Sequence, residues 1–379
     1  MSYLEYNTSY VPAGLSKVLY LNWALVILVS AVASCGFLML YSVAGGSMEP
    51  WAGDQIRRFV LGLGVMFVVA MIPIWFWRSM SLIAYLGALG LLVAVEFIGS
   101  VQMGAQRWID LGFMRLQPSE VMKIALVMLL AAYYDWLPAS KVSYPHWVLL
   151  PLVLIVGPVF LTLTQPDLGT ALLLLLGGGV VMFCAGVSWW YWIAVIGSAG
   201  GAVWAVLSSQ GKDWQILQDY QYRRIDTFLD PTADPLGAGY NIIQAKIALG
   251  SGGWSGKGFM QGTQSRLNFL PEKHTDFIFT ILAEEFGFLG AFGLLLMYVG
   301  IIGFCIYTAL KSRDRFAQLL VLGIAATFFF YFAVNMAMVM GLAPVVGVPL
   351  PLVSYGGSAM LVLMGAFGLV QSANVHRPR

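Results

Sequence analysis

Ten stretches of this chain are apolar over the length a lipid bilayer demands, and that constrains the fold more than any other feature. A hydrocarbon core about 30 Å thick takes roughly 17 to 25 mostly apolar residues of α-helix. Segments of that kind fall near residues 20–42, 58–77, 81–99, 117–134, 147–164, 168–186, 189–208, 276–310, 316–340 and 357–374. Backbone N–H and C=O groups cannot stay unpaired in lipid, so runs of this kind are read as helices. The expectation is an all-α polytopic membrane protein, one integral membrane domain over residues 1–379 with about ten transmembrane helices. Composition agrees, with 59% hydrophobic and 10% charged residues, beyond what a soluble domain carries.

A net charge of +2 gives no case for a nucleic-acid partner. Cys35, Cys184 and Cys305 each lie inside an apolar run, where free cysteine acts as a small hydrophobe. The first apolar run is long enough to span and lacks the flanks of a cleaved signal, so it reads as a retained helix.

Lysine and arginine in short loops set orientation. Lys17, Arg78, Lys141, Lys311, Arg313, Arg315, Arg377 and Arg379 fall on the side of the termini, and Arg57, Arg58, Arg107, Arg115 and Lys123 on the other. Both termini are therefore expected in the cytoplasm. The long polar loop at about 209–275, before the eighth span, is then extracytoplasmic. Within it "LQDYQYRRIDTFLD" and "YNIIQAKIAL" read as short amphipathic helices with apolar faces suited to the bilayer interface. The apolar segment "GLAPVVGVPLPLVSYGG" (341–357) carries prolines and glycines that forbid a continuous helix, so it must be buried in protein or line a cavity. "TQPDLGT" (164–170) makes the same argument on a smaller scale.

The titratable residues gather at these loops. "LPEKHTDFIF" (270–279) sets Glu272, Lys273, His274 and Asp276 before a long apolar helix. Asp276 reads either as a helix-start acid, with Thr275 or Asp276 capping, or as a general base tuned by Lys273 and His274. In "QPSEVMK" Glu120 and Lys123 are three apart on one helix, and a structural ion pair is favoured over direct catalysis. Asp167 is either a cap or a second acid. Glu284 and Glu285 lie deeper, where a helix-to-helix hydrogen bond is favoured over a proton or ion site. "GSGGWSGKGFMQG" (250–262) departs from the phosphate-binding loop pattern at Ser251 and Gly258, so it reads as a tight turn or a loop closing over a bulky substrate, and no nucleotide is expected. Arg107, Arg223, Arg224, Lys246, Lys257 and Lys273 supply cations at the outer end, a subset of which suits a pyrophosphate.

The motifs "GAQRWIDLG", "QPSE..K", "QPDLGT", "DPLGAGYNIIQAKIALGSGG", "GKGFMQGTQS", "FLPEKHTDFIF..LAEE" and "PVVGVPLPLVSYGGS" resemble, in order and over nearly the whole chain, those of SEDS proteins, the shape, elongation, division and sporulation family. "GTQSRLNFLPEKHTDFIF" is similar to the rod-shape (RodA-type) branch more than to the division branch. The resemblance implies a ten-span bundle in the bacterial cytoplasmic (inner) membrane, with its active site on the periplasmic face. It implies a peptidoglycan glycosyltransferase that polymerises lipid II into β-1,4 glycan strands during cell elongation and releases polyprenyl pyrophosphate. The family's essential acid matches Asp276, its fourth-span pair matches Glu120 and Lys123, and its loop acid matches Asp167. Arg107, Arg223, Arg224, Lys246, Lys273 and His274 are then candidates for substrate binding. Cations, a divalent metal (Mg2+ or Mn2+) at Asp276, or both would stabilise the leaving pyrophosphate. Implied partners are the nascent strand, a class B penicillin-binding protein and other elongation-complex membrane proteins. The rival readings are a lipid II flippase, since many spans with intramembrane acids also suit transport, and a scaffold for a partner enzyme.

Overall fold

The computed structural model describes residues 14–102, 105–110, 112, 115–212, 214–216, 219–230, 238–267 and 273–377. Ten long helices match the ten apolar runs: α1 (Trp23–Val43), α2 (Ala52–Met71), α3 (Ile74–Ile98), α4 (Pro118–Trp136), α5 (Pro145–Thr164), α6 (Leu168–Cys184), α7 (Trp189–Ser209), and, after the long loop, α11 (Ile278–Lys311), α12 (Arg315–Val339) and α13 (Gly357–Val375). Seven are long and apolar enough to cross a membrane by themselves. The other three fall short for visible reasons. Helix α6 has only 17 residues, and α2 and α4 begin in charged turns, with Asp54, Arg57 and Arg58 in one and Glu120 and Lys123 in the other. Helices α2 and α3 start earlier than hydropathy predicts: the first turns of α2 carry Asp54, Arg57 and Arg58, and Pro73 ends α2 so that the aromatic turn 74–77 opens α3.

Between α3 and α4 the chain is not helical. Strands β1 (Ser100–Gln102), β2 (Ala105–Asp110) and β3 (Arg115–Leu116) form a small antiparallel sheet in the order β1-β2-β3. It is a local departure from the all-α expectation, too short to register against the surrounding apolar runs.

Of the seven candidate spans, α13 is the most enclosed, with 78% of its apolar window buried, and α12 follows with 61%; α7 has 6% and lies at the periphery. Around α12 and α13, each interruption of a helix is repaired by a neighbour. Pro151 and Pro158 lie inside α5, and each lacks the N–H that would pair with the carbonyl four residues back. Those carbonyls belong to Trp147 and Leu154. The Tyr133 hydroxyl of α4 donates to the Trp147 oxygen at 2.8 Å, and the Tyr85 hydroxyl of α3 donates to the Leu154 oxygen at 2.9 Å.

Helix α11 is broken at Gly287, whose φ of 65° and ψ of −161° suit glycine alone. The lost ladder bonds are those from Phe288 and Leu289 to Glu284 and Glu285, and the glycine-rich loop takes all four groups. Phe288 N–H donates to Gly253 O (2.9 Å) and Leu289 N–H to Trp254 O (3.1 Å), while Lys257 N–H reaches Glu284 O and Gly258 N–H reaches Glu285 O, each at 3.0 Å. The loop is thus a tight turn seated in the helix break, which disposes of its reading as a lid. The Glu284 carboxylate, fully buried, accepts from Lys257 Nζ (2.6 Å), Thr263 N–H (2.8 Å) and Thr263 Oγ1 (2.9 Å). Glu285 instead accepts from Ser42 of α1, the helix-to-helix bond expected.

The long loop holds α8 (Asp219–Leu229), α9 (Ala238–Ser251) and the single turn α10 (Thr263–Arg266). Ala245 of α9 packs with Phe277, Ile281, Met338 and Val339, so its apolar face is covered by α11 and α12 and not by the bilayer interface. Helix α8 hangs from the end of α7 through the Tyr222 hydroxyl, 2.7 Å from Ser209 Oγ and 2.9 Å from Val206 O.

The two ends of the bundle differ in chemistry. At one end Arg78 pairs with Asp135 (3.3 Å) and with Asp314, and Arg315 donates to Leu137 O (3.1 Å). Lys17 Nζ caps Met71 O at 2.9 Å and Ser372 binds Ile72 O at 2.6 Å, bringing the ends of α1 and α13 to this same clasp. Arg58, Arg107, Asp167 and Asp276 lie at the opposite end, as the charge pattern anticipated.

The proline repair is testable as a cycle. Tyr85→Phe leaves the Leu154 carbonyl unpaired and is expected to cost about 1–3 kcal/mol. In a Pro158→Ala background the restored N–H takes that carbonyl, and the cost of Tyr85→Phe shrinks to less than about half. Thermal unfolding of the detergent-purified protein reads both; equal losses in the two backgrounds would remove the argument.

Candidate active site

Residues 273–277 form a turn leading into α11. The N-cap of that helix is Phe277, with no side-chain cap hydrogen bond, so Asp276 stands one residue outside the cap position. The turn is held by its carbonyls. Tyr355 N–H donates to His274 O (3.0 Å), Ser354 Oγ to Thr275 O (2.6 Å) and Asn335 Nδ2 to Asp276 O (2.9 Å). The donors are themselves fixed. Leu350 N–H donates to Ser354 Oγ at 2.7 Å, and the buried Gln55 of α2 donates to Ser354 O at 2.9 Å. Asn335 uses its second amide hydrogen on Val348 O at 2.7 Å.

The irregular segment 341–356, non-helical as expected, is therefore the wall against which the Asp276 turn is built. Gly347 in that wall has φ +72°, and a Cβ there would stand 3.7 Å from Asp276 Oδ2. The carboxylate faces a wall residue that adds no side chain. His274 stacks on Trp51 with centroids 4.6 Å apart and planes 15° apart, and the Tyr355 ring lies tilted at 6.2 Å from it. Arg58 covers the Tyr355 ring at 4.8 Å. Lys273 is buried, and burial pulls its ammonium below the ordinary lysine range.

Glu120 and Lys123 form the buried pair anticipated, 5% and 3% exposed with Nζ 2.6 Å from Oε1. The Tyr331 hydroxyl of α12 reaches both carboxylate oxygens at 2.7 and 2.6 Å, and Lys123 Nζ stands 4.1 Å above its ring. Asp167 is the N-cap of α6, accepting from Thr170 N–H (3.1 Å), Thr170 Oγ1 (2.9 Å) and Gln117 Nε2 (3.1 Å). Both its oxygens are engaged, which is the capping arrangement. Arg107 on β2 donates to Gln165 O at 3.0 Å and to Pro166 O, so its guanidinium is directed at the turn carrying Asp167.

The remaining cations spread out. Lys246 is exposed on α9 and lies along Gly341, where an added Cβ would come within 2.8 Å of its Nζ. Lys257 serves Glu284. The side chains of Arg223 and Arg224 on α8, and Glu272 altogether, lie outside the described residues. Asp276, His274 and Lys273 thus share one turn, with the Glu120–Lys123 pair and Asp167 tied to the same end through α12 and Gln117. Tyr331, Asn335, Ser354, Gln55 and Trp51 were not anticipated. The available signal was polar residues inside or beside apolar runs, such as Asn335 in "FAVNMAM".

Among the described residues no three His, Cys, Asp or Glu side chains converge on a metal position. A Mg2+ ion is commonly held by one or two carboxylates with substrate phosphates completing its shell. The half-buried Asp276 carboxylate is compatible with that kind of coordination, in which the protein would supply one ligand.

The buried pair gives a stability prediction. Lys123→Met strands the Glu120 carboxylate and is expected to cost about 3–5 kcal/mol. Adding Glu120→Gln should return most of it, as measured by thermal unfolding. A double variant as unstable as the single one would show that the pair is not what holds this region.

Comparison with known proteins agrees with this architecture. The FtsW/RodA/SpoVE family model, described as a cell cycle protein, matches residues 20–379. The peptidoglycan glycosyltransferase MrdB of Escherichia coli K12 is 43% identical over 363 residues, 94% of each chain. MrdB of Helicobacter pylori 26695 is 36% identical over 327 residues, 83% of this chain and 80% of that one. Among solved structures, a chain from work on the structural coordination of polymerization and crosslinking by a peptidoglycan synthase complex superposes with TM-score 0.79 at 31% identity, covering 93% of this chain and 97% of that one. The rod shape determining protein RodA of Thermus thermophilus superposes with TM-score 0.70 at 28% identity, covering 95% and 98%. A family match running from residue 20 to the last residue, with 43% identity across nearly a whole relative, shows that the chain belongs to the FtsW/RodA/SpoVE family.

Proposed function

We infer that this chain is a peptidoglycan glycosyltransferase that polymerises lipid II, with Asp276 as its general base. The observation that carries the assignment is the turn itself. Three consecutive carbonyls, of His274, Thr275 and Asp276, are held by separate donors, and the carboxylate faces Gly347 of the wall. A base fixed in this way loses little on meeting its substrate.

In the proposed reaction the 4-hydroxyl of the acceptor sugar attacks the anomeric carbon of the donor. Its proton passes to an Asp276 oxygen, the new C–O bond forms, and the bond from the anomeric carbon to the pyrophosphate breaks on the opposite face. Inversion gives the β-1,4 linkage, and polyprenyl pyrophosphate leaves with the electron pair. Lys273 on the Asp276 turn, with Lys246 laid along the head of the 341–356 wall, is suited to the departing charge. A divalent cation bound with Asp276 would add electrophilic stabilisation of the pyrophosphate. The Glu120–Lys123 pair and the Asp167 cap, with Arg107 behind it, serve to shape the walls.

The reading places the protein in a bacterial cytoplasmic membrane, with the clasp end and both termini in the cytoplasm and Asp276 outside, where a lipid-linked sugar needs no nucleotide for activation. A penicillin-binding transpeptidase is the proposed partner, supported by the likeness to a chain of a synthase complex that couples polymerization with crosslinking.

Asp276→Asn keeps the shape and removes the base, so polymerisation of labelled lipid II by the purified complex should fall by about 10²-fold or more. Near wild-type rates would sink the assignment, and lipid II crossing a vesicle membrane without polymer would favour the flippase. Chelation by EDTA should slow turnover, with Mg2+ or Mn2+ restoring it; unchanged turnover would leave the pyrophosphate to lysine and arginine.

A further inference from the structure

Helix α12 presents two polar side chains four residues apart, and therefore on one face, to the two parts of the site. Tyr331 donates to the buried Glu120 carboxylate and lies under the Lys123 ammonium. Asn335, fully buried, spends its two amide hydrogens on Asp276 O and Val348 O. Val348 is the residue after Gly347, which faces the Asp276 carboxylate, and its side chain packs between Leu173 of α6 and Tyr331 itself. A continuous path of contact runs from the Glu120–Lys123 pair through Tyr331 and Val348 to Asn335 and the Asp276 turn.

We propose that Tyr331 and Asn335 are positioning residues that register the Asp276 turn against the 341–356 wall and couple it to the Glu120–Lys123 pair. A buried asparagine is in general a satisfied polar group and no more. Here its two acceptors belong to two different irregular segments that face each other across the carboxylate. Neither segment has a helical or strand ladder to hold it at that point; Tyr355 N–H and Ser354 Oγ tie the His274 and Thr275 carbonyls to the wall, and Asn335 is the side chain that joins Asp276 itself to Val348 beside Gly347. Tyr331 supports it from one turn away, because the ring that packs on Val348 is oriented by Glu120 and Lys123. A misplacement of about 1 Å at a reacting group costs on the order of 10²-fold in rate.

The inference rests on Asp276 being the base, and the experiment separates the two. Lipid II polymerisation by the full chain with its penicillin-binding partner is measured for Asp276→Asn, Asn335→Asp and Tyr331→Phe, recording kcat, KM, the pH dependence of kcat and the fraction of folded protein. Asn335→Asp preserves shape but replaces the two donors with acceptors facing carbonyls. It should lower kcat about 10- to 100-fold with KM nearly unchanged, and shift the acid limb of the pH profile. Tyr331→Phe should do the same more weakly. Loss of folded protein with normal kcat per folded molecule, or an unmoved pH profile, reduces both residues to packing and overturns the proposal. If Asn335→Asp does not fold, Tyr331→Phe decides by the same readouts. An inactive Asp276→Asn beside fully active Asn335 and Tyr331 variants rejects the coupling alone, whereas an active Asp276→Asn rejects the base.

Discussion

A peptide group inside a bilayer has no water to fall back on, and this chain interrupts its helices repeatedly at that depth. Each interruption has a designated partner. Tyrosine hydroxyls from α3 and α4 take the carbonyls freed by the two prolines of α5. The glycine-rich loop takes the N–H and C=O groups freed where α11 breaks at Gly287. Side chains of α2 and α12 take the carbonyls of the Asp276 turn and the 341–356 wall. The irregular backbone around the Asp276 turn is thus held at chosen points by groups from several helices.

Charge follows the same rule. Glu120, Lys123 and Glu284 are nearly inaccessible, and each is compensated by an opposite charge or by several donors. Burying these groups unpaired would cost several kcal/mol each, so their partners are part of the fold. Asp276 differs in its setting. It stands on a turn at the end of the bundle, half-buried, with Gly347 beside its carboxylate. Three hydrogen bonds hold the carbonyls of that turn, a setting suited to the proton transfer proposed for it.

The motifs led directly to Asp276, Glu120, Lys123 and Asp167; their spacing favoured the ion pair, and for Asp167 left a cap and a second acid level until its bonds to Thr170 and Gln117 were seen. Helix-start capping was an equally good reading of Asp276 in one dimension; in three, Phe277 takes the N-cap position and Asp276 precedes it. Arg107 looked like a free cation in "GAQRWIDLG", whereas two of its donors hold the Asp167 turn. Asn335 and Tyr331 passed unremarked, because one Asn and one Tyr inside a 25-residue apolar helix resemble incidental polar residues until their acceptors are known. The amphipathic pattern of α9 was read correctly as a helix with one apolar face, but periodicity does not distinguish a face that meets lipid from one that meets α11.

The spans, their number, the charge asymmetry between the two ends and the non-helical course of 341–356 are local consequences of hydropathy and of proline and glycine geometry, and the sequence alone determined them; the break at Gly287, inside a run read as continuous over 276–310, emerged only in the structure. Which group repairs each break depends on residues tens to hundreds of positions away: Tyr85 for Leu154, Gly253 for Phe288, Asn335 for Asp276 and Val348. Hydrogen bonds of that kind have no period and no spacing, since they arise only when packed helices bring unpaired groups within about 3 Å of one another. For that reason the acid proposed as catalyst was legible in one dimension and the apparatus that holds it was decided only in three.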